Sequence, residues 1–96
     1  MLQTDTITDP LLTRLLGVME TCLDLHRAGV KIEAIHLDTT GTPQIQVAPT
    51  AALARYTADH AYVKYGKGRD ARGNFRLCQL VGQSGAPRVH WREKGV

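Results

Sequence analysis

Only one long stretch of this chain, Leu12 to His26, repeats apolar residues at three- and four-residue intervals, and it is bracketed by a start and a stop. Asp9 can cap an unpaired amide, and Pro10 suits the first helical turn, where a missing N–H costs nothing. Gly29 supplies a left-handed stop. Leu12, Leu15, Leu16, Met19, Cys22, Leu23 and His26 mark one face, while Thr13, Arg14, Gly17, Glu20, Thr21, Asp24 and Arg27 mark the other. A helix over 10–28 with such segregation needs a sheet to rest on, with Leu16 in the core.

The remaining sequence supplies that sheet. Residues 30–48 read as a hairpin, with Val30 and Ile32 on one parity and Ile35 and Leu37 on the other, so a bulge near Ala34 is expected. Gln44 to Val47 then alternates cleanly. Thr50 repeats the logic of a helix cap, and Leu53, Tyr56, His60 and Val63 predict a second helix over 50–65 ended by Gly66. A basic loop over 66–74 and a second hairpin over 75–93 complete the chain, with residues 1–9 as a flexible amino end. The order α-β-β-α-β-β predicts one α+β domain over 1–96, a four-stranded antiparallel sheet with helices packed on one face. There is also an internal echo at an offset of 44 residues: Gly41, Pro43, Ile45 and Val47 align with Gly85, Pro87, Val89 and Trp91. Shared hairpin chemistry accounts for such a match.

Ninety-six residues with 43% hydrophobic content fit one core. The amino end lacks the basic region and apolar run of a signal peptide, and no stretch is long and apolar enough for a membrane span. A cytoplasmic protein is expected. Cys22 and Cys78 lie among apolar residues and outside zinc-type spacing, so two reduced core thiols are expected, with a disulfide between them as the alternative.

The net charge of +3 conceals a division. Residues 1–48 carry three basic and six acidic side chains, net −3, whereas residues 49–96 carry nine and three, net +6. All five aromatic residues, Tyr56, Tyr62, Tyr65, Phe75 and Trp91, belong to the basic half. Two surfaces with different partners are implied.

The basic half holds the best functional lead. Lys64, Lys67, Arg69, Arg72 and Arg76 can meet phosphates, and Tyr62, Tyr65 and Phe75 can stack on exposed bases. The structural alternative keeps Tyr62 and Phe75 in the core, with the cations merely solvating a glycine-rich loop. Arg88, Arg92 and Lys94 add charge near the carboxyl end, so the candidate binding set is Lys64, Tyr65, Lys67, Arg69, Arg72, Arg76, Arg88 and Arg92.

Catalytic chemistry finds little support. Gly66 to Ala71 matches G-x-G-x-x-A in form, but a strand rather than a helix is expected to follow, which removes the helix end that binds pyrophosphate. His26 and His60 fall on apolar helix faces. His36 and His90 lie on strands where they can meet across the sheet, without metal-ligand spacing. A Cys78/His90 or Cys22/His26 pair lacks an orienting third group. No catalytic residue, metal or cofactor is implied, and the expectation is a binding protein rather than an enzyme.

The runs Val30 to Ile35, Pro43 to Pro49, Lys67 to Asp70 and Arg88 to Arg92 give the chain a resemblance to small proteins carried by prophages of proteobacteria. That resemblance implies the cytoplasm of a phage-infected bacterium and a function by binding, as in anti-CRISPR inhibitors that block a host nuclease complex. It assigns no contact residue. The expected partner is therefore a host protein or nucleoprotein complex, with direct binding of DNA or RNA by residues 62–76 as the alternative and no membrane. A homodimer would follow if the last strand lay at a sheet edge and paired with its copy.

Overall fold

The computed structural model describes residues 9–39, 41–82 and 86–94. Of the expected flexible end, residues 1–8 lie outside this set, whereas Asp9 is an ordered part of the first helix. Its Oδ1 accepts from the amides of Leu11 at 2.8 Å and Leu12 at 3.4 Å, opening α1 (Pro10–Arg27). At the other end, Gly29 turns left-handed at φ +79°. The Val30 amide donates to the Leu25 carbonyl at 3.0 Å and the Gly29 amide to that of His26 at 2.9 Å, which closes the helix as a Schellman motif does.

Five strands follow: β1 (Ile32–His36), β2 (Gln44–Val47), β3 (Tyr62–Asp70), β4 (Gly73–Leu80) and β5 (Arg88–Lys94), with α2 (Ala51–Ala58) between β2 and β3. They form one mixed sheet in the order β1-β2-β5-β4-β3. The fold is α+β, but the sheet has five strands rather than four and is not wholly antiparallel. β1 and β2 form the expected hairpin, and their register shifts between Ile32 and Ala34, where the sequence changes phase. β4 and β5 also pair antiparallel, while β2 and β5 run parallel.

That parallel pair explains the internal echo. Gln44, Ile45 and Gln46 sit opposite Arg88, Val89 and His90, an offset of 44 residues, so the aligned segments are neighbours at the centre of the sheet. The last strand is consequently interior, and the expected route to a homodimer through its edge is closed. The edges are β1 and β3.

The second helix stops at Ala58, seven residues short of expectation. Thr50 caps it, its hydroxyl accepting from the Leu53 amide at 3.3 Å. Beyond Asp59, Tyr62, Val63 and Tyr65 have strong strand preference and find partners on β4, so tertiary pairing overrides the continued helical stripe. The expected loop over 66–74 is accordingly the end of β3, a two-residue connection and the start of β4.

Alternate residues of the sheet meet both helices in one core: Ile45, Val47, Cys78, Val89 and Trp91 below, Val18, Leu25 and Leu53 above, with Val30 beside them. The inward face of α1 is thus set by Val18 and Leu25, with Cys22 packed alongside, and not by the expected leucine stripe. Leu12, Leu15, Leu16, Met19 and Leu23 remain between 36% and 51% exposed. The two faces follow from apolar residues covering more than half the helix circumference: a narrow sheet edge accepts only part of that arc.

Leu25→Ala should therefore cost about 2–5 kcal/mol, as for other core leucines. Leu16→Ala should cost about 0.5 kcal/mol, as at exposed positions, when both are measured by urea denaturation at high dilution.

Candidate nucleic-acid interface

β3 and β4 build an arm from the basic segment. Their register runs from Tyr62 opposite Leu80 to Asp70 opposite Gly73, with a shift between Lys64 and Gly66. Ala71 and Arg72 make the connection. The Arg72 amide donates to Asp70 Oδ1 at 2.8 Å, and Gly73 at φ +109° supplies the positive angle that returns the chain. β5 pairs with β4 only from Phe75 to Gln79, so the tip extends beyond the third strand. The molecule measures 49 × 26 × 21 Å. Along β3 only Gly66 and Gly68 are partly covered.

Those two glycines hold the arm together. A Cβ on Gly68 would lie 2.5 Å from Phe75 Cζ, and one on Gly66 would lie 3.1 Å from Leu77 Cδ1. Phe75 and Leu77 thus lie across the bare backbone of β3, as aromatic side chains do over strand glycines. The guanidinium of Arg92 stacks on Phe75, 4.4 Å from the ring centre, and its Nη1 lies 3.7 Å from Asp70 Oδ2. Phe75 is therefore structural and not free to stack on a base.

Strand alternation sorts the candidate residues. Cys78 pairs with both Trp91 and Lys64, so Lys64 points to the helix side. Arg76 follows two positions from Cys78, and Lys67 pairs with Arg76; Arg69 pairs with Asn74 on the same side. Lys64, Lys67, Arg69 and Arg76 thus share one face. Arg72 occupies the tip, and Tyr65, 51% exposed, sits at the register shift. Arg88 and Arg92 occupy the opposite face, so the structure does not bring all eight residues together.

Internal pairing divides them further. Lys64 Nζ lies 3.8 Å from Glu93 Oε2, and Glu93 Oε1 also accepts from Trp91 Nε1 at 3.2 Å. Among the described residues only Lys64 and Arg92 form ion pairs with carboxylates, which leaves Lys67, Arg69, Arg72 and Arg76 without one. Successive same-face positions on a strand recur every ~6.6 Å, so Lys67 and Arg69 are spaced like successive backbone phosphates in an extended strand.

Sequence reasoning missed the groove at the arm's root. A cavity of about 550 Å³ opens between α2 and the sheet, lined by Thr50, Leu53, Thr57, Tyr62, Trp91 and Glu93. Tyr62 lies 5.5 Å from Trp91 between ring centres and is partly exposed, whereas Trp91 is buried. The signal for the arm itself was present: Gly66 and Gly68 mirror Leu77 and Phe75 about the Asp70–Gly73 turn.

The cysteine and histidine candidates lie away from the tip of the arm, and the sheet divides the Cys78/His90 pair. Cys22 and Cys78 are free thiols, and burial pushes both above their ordinary pKa, with Glu93 adding to the effect at Cys78. Cys78 shares a register position with Trp91, so His90, next along β5, points to the other side of the sheet. The His60 ring stacks on Tyr56 at 4.0 Å, and its Nδ1 donates to the Tyr56 carbonyl at 2.7 Å. Tyr56 in turn donates to Asp24 Oδ2 at 2.9 Å; burial first, and that bond second, raise its pKa to about 12. This cluster ties α2 to α1. Among the described residues, no three His, Cys, Asp or Glu side chains gather as a metal would require. Nor is any described helix long and apolar enough to cross a membrane.

Comparison with protein-family models, with curated proteins and with solved structures returned no match.

On the helix-free face, the Nε2 of His90 is buried without a hydrogen-bond partner among the described residues. Burial lowers its pKa, and His36 and Arg88 lower it further. The unfolded chain therefore binds the proton more readily than the folded one, and stability falls as pH drops from about 7 through the depressed value. Thermal melts at descending pH should show this loss, and His90→Gln should flatten it.

Proposed function

We propose that this chain is a non-enzymatic nucleic-acid-binding protein that contacts phosphates with the β3–β4 arm. One observation carries the reading: Lys67, Arg69, Arg72 and Arg76 lie along the β3–β4 hairpin without a carboxylate ion pair among the described residues, Arg69 and Arg72 on its two-stranded tip and Lys67 and Arg76 at the register position where Glu93 of β5 lies alongside. A two-stranded ribbon fits the major groove of B-DNA, and an exposed cationic strand also suits a single strand. Tyr65 and Tyr62 are the aromatic groups available for stacking. Lys64 contributes less, because Glu93 partly neutralises it. Arg88 and Arg92 belong to another surface.

The sheet order supports this polarity. Net-negative residues 1–48 supply α1 and the β1–β2 edge, and net-positive residues 49–96 supply the β3–β4 edge, so the charge division of the sequence runs across the sheet. An anionic polymer would meet the arm before the rest of the molecule.

Binding to DNA or RNA probes should weaken steeply with salt. On B-DNA, replacing Lys67 and Arg69 with alanine should make the log–log slope shallower by about 1.8, at roughly 0.9 per lost phosphate contact. Arg88→Ala, on the other face, should leave the slope unchanged. Failure to retain either single- or double-stranded probes at low salt, by filter binding, would remove this reading.

The same polarity serves a second reading, a prophage-type inhibitor of a host nucleoprotein complex, with the arm on its nucleic acid and the less basic end on its protein. Capture of a stoichiometric host partner from bacterial lysate should then survive nuclease treatment. Loss of all captured protein after nuclease would leave direct nucleic-acid binding.

A further inference from the structure

The outward face of α1 carries five of the ten large apolar side chains that stand exposed among the described residues. Leu12, Leu15, Leu16, Met19 and Leu23 stand side by side and half exposed, while the opposite side of the helix buries Val18 and Leu25. A domain of this size seldom leaves so continuous a row in water unless something covers it. We infer that this face is the interface of an antiparallel homodimer, in which α1 of one copy packs along α1 of a second.

The sequence of the row identifies the occupant. Leu12, Leu16, Met19 and Leu23 are separated by four, three and four residues, a spacing that reads the same in both directions. A two-fold axis across the middle of the helix therefore sets Leu12 against Leu23 and Leu16 against Met19 of the other copy, twice over. Such self-complementarity is what an isologous interface requires.

The flanking charges select the orientation. Asp9, Thr13, Glu20 and Arg27 follow the row along one side, at angular positions within about 40° of one another for 3.6 residues per turn. In the antiparallel pair Asp9 of each copy comes level with Arg27 of the other, and Glu20 comes nearest to Thr13. In a parallel pair the two-fold axis would run along the helices and carry this flank to the opposite side of the seam, so Asp9 and Arg27 would not meet. Opposed helix dipoles favour the antiparallel arrangement as well. All four side chains are exposed, and the second carboxylate oxygen of Asp9 is not used by its cap hydrogen bonds.

This interface does not depend on nucleic-acid binding. Sedimentation equilibrium on the full chain tests it, from low to high micromolar concentration. The expected result is reversible doubling of the 10.6 kDa mass, abolished by joint Leu16→Glu and Met19→Glu substitution with an unchanged circular dichroism spectrum. Orientation is tested in a Cys22→Ser background by mixing Leu12→Cys and Leu23→Cys proteins and oxidising. The antiparallel pair should give predominantly the mixed disulfide, because bridging needs Cα atoms within about 7 Å. A monomer at every concentration, a dimer indifferent to the glutamate substitutions, or cross-linking of Leu12→Cys chiefly to itself would overturn the inference.

Discussion

The parallel contact between β2 and β5 is the constraint from which the remaining architecture follows. Ile45 and Val89 are direct neighbours in it, and Val47 and Trp91 continue the same buried face beneath Leu25, Val18 and Leu53. Parallel neighbours cannot be joined by a tight turn, so the chain between them must leave and return. It does so through α2, β3 and β4. Because β5 occupies the place beside β2, the β3–β4 hairpin is displaced to the far edge, where neither helix covers its length. An exposed arm is thus a consequence of how the core closes.

On that arm, two kinds of side chain have been separated by strand alternation. Phe75, Leu77 and Arg92 fill the space above Gly66 and Gly68 on one face and stiffen the ribbon. Lys67, Arg69 and Arg76 occupy the other. Glu93 marks the boundary between core and arm, since it accepts from the buried Trp91 ring and pairs with Lys64. Glu93 also stands opposite Arg76 in register, and past that position the one carboxylate of the ribbon is Asp70, which is engaged by Arg92 and the Arg72 amide. A stiff ribbon with fixed cations loses little conformational freedom on meeting a polyanion, which favours binding.

The first helix combines two apolar faces for a related reason. A sheet whose edge strand β1 has only five residues offers limited area, and α1 has eighteen. One row of side chains satisfies the core and the other is left over. The surplus row has a symmetric spacing and polar flanks that complement its own copy, so it gives a small domain a second way to remove apolar surface from water.

Much of this was readable from local chemistry. The limits of α1 were set by Asp9, Pro10 and Gly29, the bulge in β1 by the change of parity near Ala34, and the alternation of β2 by Gln44 to Val47. The cations of the arm were also evident as a group, because composition is local. Reading the segment as a loop failed at Gly66 and Gly68, which look like breakers until Leu77 and Phe75 are known to lie across them. The repeat at 44 residues was visible, but its meaning as parallel pairing required the intervening chain to be folded. Sequence by itself thus determined which residues prefer helix or strand and where the charge resides, because those preferences arise within a few bonds. Tertiary structure alone decided which face of α1 is buried, which cations share a side and which strand lies at the edge, because each depends on contacts between segments remote along the chain.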